Sequence, residues 1–282
     1  DITSRAIIPP DLQGRAMLVA RQAGVVAGLP VVELVLETFH TPLLRFEPQV
    51  EDGARVEPGA RLAVITGLME SILTAERTAL NFLQRLSGVA TLTRRYVDAV
   101  AGLPCQILDT RKTTPGWRLL EKYAVRCGGG HNHRLGLYGG FLVKDNHLAA
   151  LGGGKEAFQK VLRAVSEYRK ETMPIPFEVE VDTLEQLETA LTRLPGAEVE
   201  TQDALACLPD IVLLDNMRPQ QLQEAVRRRN EKAPKVLLEA SGGVTLETVR
   251  AIAETGVDRI SVGALTHSAP ALDIGLDYLN HG

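Results

Sequence analysis

The sequence of 282 residues is long enough for one large domain or two smaller ones, and its 45% hydrophobic content is ordinary for a globular protein. The formal net charge of -4 argues against non-specific nucleic-acid binding, and no apolar stretch reaches the length that spans a bilayer. The cysteines Cys105, Cys127 and Cys207 cannot all pair within one chain and lack metal-ligand spacing, so a reducing cytoplasm is the expected location.

The first hundred residues predict a small α+β domain. Turn signals interrupt the apolar runs between residues 43 and 65, which predicts strands joined by turns. Residues 70–88 are predicted to form a helix with one apolar face, and residues 89–100 continue as a second helical stretch. We therefore assign residues 1–103 to an N-terminal α+β domain, against which residues 271–282 are expected to pack.

Short apolar runs alternate with amphipathic helical stretches after residue 104. Strands that alternate with helices predict parallel strands joined by right-handed crossovers. The clearest helical stretches are residues 157–170 and 219–229. The predicted strands are 106–108, 141–143, 177–181, 211–214, 236–238 and 260–262.

Polar or glycine residues follow almost every one of these predicted strands. In a barrel of alternating strands and helices, such positions converge at the C-terminal mouth, where active sites lie. An open doubly wound sheet gathers such groups mainly at one switch point, so the pattern favours the barrel. Residues 104–270 are short for eight strand–helix units, and we predict an incomplete, TIM-like α/β barrel.

Four cations, Arg111, Lys112, Arg134 and Lys144, lie in a segment that should fold around the barrel mouth. Arginine suits two-pronged contacts with carboxylate or phosphate, whereas lysine acts as a compact charge. The pattern predicts a pocket for a small molecule with several negative charges. The alternative is a set of solvated surface charges.

His131 and His133 are two residues apart, but no nearby cysteine or carboxylate completes a convincing transition-metal site. A hydrogen-bonding or substrate-contacting role is the favoured interpretation of His133. Lys144 has its own alternative, a Schiff-base lysine of the kind that aldolase-like barrels place at a strand end.

Glu180 and Asp215 are acidic groups on two different predicted strand ends. Carboxylates that face a cationic pocket can hold Mg²⁺ on a diphosphate or stabilise a developing carbocation. The alternative is ordinary pairing with basic neighbours.

Late glycine-rich turns, at 241–243 and at Gly263, indicate a phosphate site built from backbone N–H groups.

At this point the residues resemble a known family, the quinolinate phosphoribosyltransferases, along nearly the whole chain and in the expected order. The resemblance implies an N-terminal α/β sandwich and an incomplete α/β barrel. It also implies a homodimer in which each N-terminal domain caps the barrel of the partner. The motifs are ERTALN at 76–81, LSG at 86–88, DTRKTTPG at 109–116, LEKYAV at 120–125, NHRLG at 132–136, VKDNH at 143–147, EVEV at 178–181, LLDN at 213–216 and EASGG at 239–243.

The resemblance further implies transfer of phosphoribosyl from 5-phosphoribosyl 1-diphosphate to quinolinate, with Mg²⁺ and with loss of CO₂, in the biosynthesis of NAD. The catalytic groups it implies are Lys112, Lys144, Glu180 and Asp215, of which the two carboxylates serve Mg²⁺. The implied substrate contacts are Arg111, His133, Arg134 and Lys144 for the quinolinate carboxylates, Arg77 from across the dimer interface, Thr110 and Lys112, and Ser241, Gly242, Gly243 and Gly263 for the 5-phosphate.

The sequence departs from the family pattern in two places. Residues 182–210 form a longer segment than usual, in which 194–208 looks inserted. The chain also begins later than family members do, so a further N-terminal helix is expected to precede it. Three other functions stay open: a related enzyme with another acceptor such as nicotinate, a Schiff-base lyase that uses Lys144, and a non-catalytic anion-binding protein.

Overall fold

The computed structural model describes residues 1–38, 44–171, 175–192 and 208–279, which fall into two compact units. The first unit takes its described residues from 1–97, 112–131 and 264–282, and the second from 98–111 and 132–263. Residues 112–131 thus group with the first unit, whereas the sequence assigned them to the barrel domain. The boundaries predicted after residues 103 and 270 stay predictions.

The first unit is built on an antiparallel sheet of four strands in the order β12-β1-β5-β3, beside a two-stranded pair of β2 and β4. Its helix α3 buries an apolar face that includes Ile72 and Leu83 in the core of this unit. The strands are β1 (Gln13–Ala20), β2 (Gly24–Val25), β3 (Arg45–Pro48), β4 (Arg55–Val56), β5 (Arg61–Leu68) and β12 (Ile274–Leu279). The helices are α1 (Ile2–Ile7), α2 (Leu29–Thr38), α3 (Met69–Ala99), α4 (Arg118–Cys127) and α10 (Ala264–His267).

Helix α3 is a single helix of 31 residues, where the sequence predicted two stretches that meet at Gly88. A Cβ at Gly88 would lie 2.0 Å from the carbonyl oxygen of Pro270, so glycine permits a close approach without ending the helix. Helix α1 was not predicted. It is capped by Asp1, which accepts the Thr3 N–H at 2.9 Å.

Helix α4 joins the first unit through side chains that are distant in sequence. Trp117, just before the helix, stacks on Phe82 of α3 with ring centroids 4.7 Å apart. Tyr123 donates to Asp52 at 2.7 Å. These contacts, which strand periodicity cannot reveal, are the physical reason that residues 112–131 belong to the first unit.

The second unit contains a parallel sheet of six strands in the order β6-β11-β10-β9-β8-β7. If the sheet closed by pairing β6 with β7, the strands would follow one another around a ring in the order of the chain. Within the described residues no pairing joins β6 to β7, so the ring is open. The predicted incomplete barrel is thus confirmed. The strands are β6 (Gln106–Leu108), β7 (Phe141–Val143), β8 (Phe177–Val181), β9 (Ile211–Asp215), β10 (Leu237–Ser241) and β11 (Arg259–Ser261). The helices are α5 (Asp145–Ala150), α6 (Gly154–Glu171), α7 (Leu184–Ala190), α8 (Pro219–Lys232) and α9 (Val249–Ala253).

The register of these strands places their acidic side chains on one face, called the polar face, which also includes Leu213. Glu180 pairs with Leu213, which pairs with Glu239, and registered partners on adjacent strands share a face. Because side chains alternate along a strand, Glu178, Glu180, Asp215, Glu239 and Ser241 all belong to this face. The opposite face carries buried apolar side chains: Phe177, Val179, Val181, Val212 and Leu214.

No helix among the described residues is both long enough and apolar enough to cross a membrane. Residues 193–207, which contain most of the segment predicted as inserted, lie outside the described residues, as does Cys207.

Candidate active site

The carboxyl ends of the six parallel strands bring most of the predicted site residues of the second unit to one rim. Because parallel strands all point the same way, the residues that follow them meet at the same edge. These residues are Thr110 and Arg111 after β6, Lys144 after β7, Glu180 in β8, Asp215 at the end of β9, Ser241 to Gly243 at and after the end of β10, and Gly263 after β11.

His133 lies between two buried carboxylates of the polar face. Its Nε2 atom is 3.0 Å from Glu178 and 3.4 Å from Glu239, and both carboxylate side chains are at most 4% exposed. Burial alone would lower the pKa of His133, but the hydrogen bonds to Glu178 and Glu239 outweigh it and raise the pKa to about 9. Burial raises the pKa of Glu178, which the hydrogen bond with His133 opposes.

The Nδ1 atom of His133 accepts the backbone N–H of Arg134 at 2.8 Å, which requires an unprotonated Nδ1. This bond belongs to the neutral ring, and protonation of the ring, which Glu178 and Glu239 favour, would break it.

The same three side chains form a cluster that the sequence did not reveal. Ligand atoms of His133, Glu178 and Glu239 all lie within 4.8 Å of one another, a spacing that a divalent ion could bridge. The spacing of the two histidines argued against a metal site because no carboxylate was near in sequence. Folding brings both carboxylates to the His133 loop from β8 and β10. In the sequence, Glu178 and Glu239 appeared only as members of the EVEV and EASGG motifs.

Asp109 fixes the backbone that carries His133 and Arg134. It is completely buried, accepts the His133 N–H at 2.8 Å and accepts Asn132 Nδ2 at 2.7 Å. From the sequence, Asp109 was only the first residue of the DTRKTTPG motif, and no role was predicted for it. Its position directly after β6 was the available signal, because a buried acid there must find donors.

Arg134 is half-buried and lies close to a second cation. Its Nη1 atom donates to the carbonyl oxygen of Gly140 at 3.0 Å. The pKa of Arg134 is lowered, first by burial and then by the positive charge of Arg111. The repulsion between two positive charges raises the free energy of the empty site, and a bound anion would offset this repulsion.

Lys144 forms an ion pair with Glu180, whose side chain is 10% exposed. This is the ordinary pairing that the sequence left open as the alternative for Glu180. The pair nevertheless stands at the rim, and 44% of the Lys144 side chain is exposed. Its backbone N–H donates to Nδ1 of His147 at 2.9 Å, which holds the start of α5.

The ends of β9 and β10 contain unusual backbone. Asn216 has a φ of 53°, donates its N–H to the Ser241 carbonyl oxygen at 2.9 Å and donates Nδ2 to Asp215 at 2.6 Å. Gly242 has a φ of 92°, and a Cβ there would lie 2.1 Å from Oδ1 of Asn216. Only glycine fits this position. The next helix begins at Val249 rather than directly at the glycines.

Two predicted site residues, Arg77 and Lys112, belong to the first unit. Arg77 is an exposed residue of α3, and the carbonyl oxygen of Lys112 accepts the Thr266 hydroxyl at 2.7 Å. Their roles toward a ligand stay predictions.

Two family models cover the chain: the quinolinate phosphoribosyl transferase N-terminal domain matches residues 1–87, and the C-terminal domain of the same family matches residues 89–277. A nicotinate-nucleotide pyrophosphorylase (carboxylating) from Mycobacterium leprae is 47% identical, covering 98% of this chain and 90% of the relative. A decarboxylating quinolinate phosphoribosyltransferase from Nicotiana tabacum is 41% identical, over 98% and 77%. The solved nicotinate-nucleotide pyrophosphorylase of Francisella tularensis superimposes with a TM-score of 0.84 at 37% identity, over 99% and 90%.

Proposed function

We infer that the chain, which belongs to the quinolinate phosphoribosyltransferase family, makes nicotinate mononucleotide for NAD biosynthesis. It transfers the phosphoribosyl group of 5-phosphoribosyl 1-diphosphate to quinolinate and releases diphosphate and CO₂. Family membership decides against a Schiff-base lyase and against a non-catalytic anion receptor. The observation in the structure that best supports the proposal is the rim where cations and carboxylates meet at six parallel strand ends.

The reaction breaks one bond and makes one bond at C1 of the ribose, and does the same at C2 of the pyridine ring. The bond from C1 of the ribose to diphosphate breaks, and the pyridine nitrogen of quinolinate attacks the resulting oxocarbenium-like carbon. The ring is then cationic and accepts electrons well, so the bond from C2 to its carboxylate breaks to release CO₂. The electron pair left on C2 takes a proton. Positioning and electrostatics are the main contributions that the protein can make.

We propose that Arg111, Arg134, His133 and Lys144 bind the two carboxylates of quinolinate. The mutual repulsion of Arg111 and Arg134 supports this role, because a dianion between them would relieve it. His133, whose pKa the two acids raise to about 9, adds positive charge directly beside Arg134. Thr110 adds a hydroxyl at the same rim.

We propose that Lys112, Glu180 and Asp215 serve the phosphoribosyl diphosphate. Glu180 and Asp215 supply hard oxygen donors on one face of adjacent strands, which fits Mg²⁺. When bound, Mg²⁺ would neutralise charge on the diphosphate leaving group. Glu180 and Asp215 would also stabilise positive character at C1, and Lys112 would hold a phosphate oxygen.

The 5-phosphate is proposed to sit against the backbone of Ser241, Gly242 and Gly243, with Gly263 beside it. Glycine at 243 leaves open space, since a Cβ there would meet no atom within 4 Å. Open space next to backbone N–H groups allows an anion to approach closely.

The deciding experiment measures nicotinate mononucleotide and CO₂ formed from quinolinate, phosphoribosyl diphosphate and Mg²⁺, with nicotinate as a parallel acceptor. Quinolinate-dependent product with an equal amount of CO₂ is the expected result. Product from nicotinate without CO₂ would transfer the proposal to another acceptor. Omission of Mg²⁺ in a chelated sample tests the metal, and loss of turnover is expected.

We further propose a homodimer located in the cytoplasm, with Arg77 supplied to the active site of the partner subunit. Support comes from the resemblance of the ERTALN motif at 76–81 and from the exposure of Arg77 on α3. The mass of the particle in solution tests the dimer.

A further inference from the structure

The loop that carries Lys112 is anchored at two points within the first unit. The Thr266 hydroxyl donates to the carbonyl oxygen of Lys112 at 2.7 Å. Thr114, two residues after Lys112, donates its N–H to Glu121 at 3.0 Å and its hydroxyl to Glu121 at 2.8 Å. The backbone on both sides of Thr113 is therefore held by side chains from α4 and α10.

Arg85 of α3 connects the two anchors. Its guanidinium donates to Glu121 through Nε at 3.2 Å and through Nη2 at 2.6 Å. It also donates to the backbone carbonyl of Thr266 and, at 2.7 Å, to that of Ala269. One cation thus binds the carboxylate of the Glu121 anchor and the backbone around the Thr266 anchor.

The anchors are buried, although the loop is not. Glu121 and Thr266 are completely buried, whereas Lys112 is exposed. A buried carboxylate is stable only when its acceptor sites are filled, and Arg85 and Thr114 fill those of Glu121. Rigid support beneath an exposed cation is the arrangement expected where the position of the cation matters.

We propose that Arg85, Glu121 and Thr266 are positioning residues that hold Lys112 in place for phosphoribosyl diphosphate. This inference rests on the proposed function, in which Lys112 binds a phosphate oxygen. The three residues act on the backbone of the loop and do not touch the substrate. Their loss should weaken phosphoribosyl diphosphate binding more than quinolinate binding, since of the proposed quinolinate contacts only Arg111 is adjacent to Lys112 in the chain.

The test uses Thr266→Val, which keeps the shape of the side chain and removes the hydroxyl, with Thr266→Ser as the matched control that keeps it. The expected result is a rise of roughly 5- to 10-fold in KM for phosphoribosyl diphosphate, the size of one lost hydrogen bond. The Kd of quinolinate should change much less, and the melting temperature should fall by no more than a few degrees. Thr266→Ser should restore the original KM. An unchanged KM in Thr266→Val, or an equal change in Thr266→Ser, would overturn the proposal.

A double-mutant cycle separates this inference from the proposed function. Lys112→Ala alone should raise KM for phosphoribosyl diphosphate, and adding Thr266→Val should then have no further effect. No effect of Lys112→Ala would refute the role of Lys112 itself. An effect of Lys112→Ala with a fully additive Thr266→Val would refute the positioning role alone. Thr114→Val, which removes a donor to Glu121 at the other anchor, should repeat the pattern if Thr266→Val folds poorly.

Discussion

Replacement of Arg134 by alanine should weaken quinolinate binding far more than nicotinate binding, because nicotinate has one carboxylate fewer. Truncation of one partner of a desolvated charge pair weakens the binding free energy by about 2–5 kcal/mol. Arg134 is only half-buried, and one of its donors already serves the Gly140 carbonyl, so the lower part of that range applies. A loss of about 2–3 kcal/mol corresponds to roughly 30- to 150-fold in Kd.

Calorimetric titration of quinolinate into wild type and Arg134→Ala measures this directly, and steady-state kcat/KM should fall at least as much. Arg134→Lys keeps the charge but loses the two-pronged geometry, so an intermediate value is expected. Arg163→Ala is the matched control, since it removes one arginine from the exposed face of α6. Equal Kd values for wild type and Arg134→Ala would refute the assignment of Arg134 to a quinolinate carboxylate.

Three further predictions concern the subunit arrangement, the phosphate turn and pH. Arg77→Ala and Lys144→Ala should each be inactive alone yet regain partial activity when mixed and reassembled; verified heterodimers without recovery would count against a shared site. Gly242→Ala, whose Cβ would lie 2.1 Å from an asparagine amide oxygen, should raise KM for phosphoribosyl diphosphate at least 10-fold. Since the pKa of His133 is raised to about 9, its stabilisation is complete below pH ~6.5 and lost as pH rises through about 9. Denaturant titrations should show that Glu178→Gln weakens this pH dependence, with Glu239 left to contact the ring, and an unchanged curve would contradict the pairing.

Local patterns in the chain determined the second unit in detail. Three predicted strands, at 106–108, 141–143 and 177–181, coincide with β6, β7 and β8, because short apolar runs bounded by polar residues are typical of strands buried on one or both faces. Strand direction then determined the rim, since parallel strands place the residues after them at one edge. Motif resemblance supplied the family. The prediction at β10 was shifted, because Ser241 ends that strand and does not follow it.

Side-chain partners at long range depended on the tertiary structure. Glu178 and Glu239 reach His133 from β8 and β10 only because the register of three adjacent strands places them on one face. Periodicity reports which face a residue occupies but not which residue lies opposite it. The same limit concealed the contact between Gly242 and Asn216.

The placement of residues 112–131 shows this limit at the scale of a whole segment. The local sequence does not predict that α4 packs with α3, because the contacts between them join residues distant in sequence. Arg85 binds Glu121, and Phe82 stacks on Trp117, just before α4. The sequence by itself determined the alternation of strands and helices in the second unit, the charge of the rim and the family. The tertiary structure decided which acids orient His133 and which residues anchor the loop of Lys112, because buried charges take whichever partners the packed chain brings within hydrogen-bonding distance.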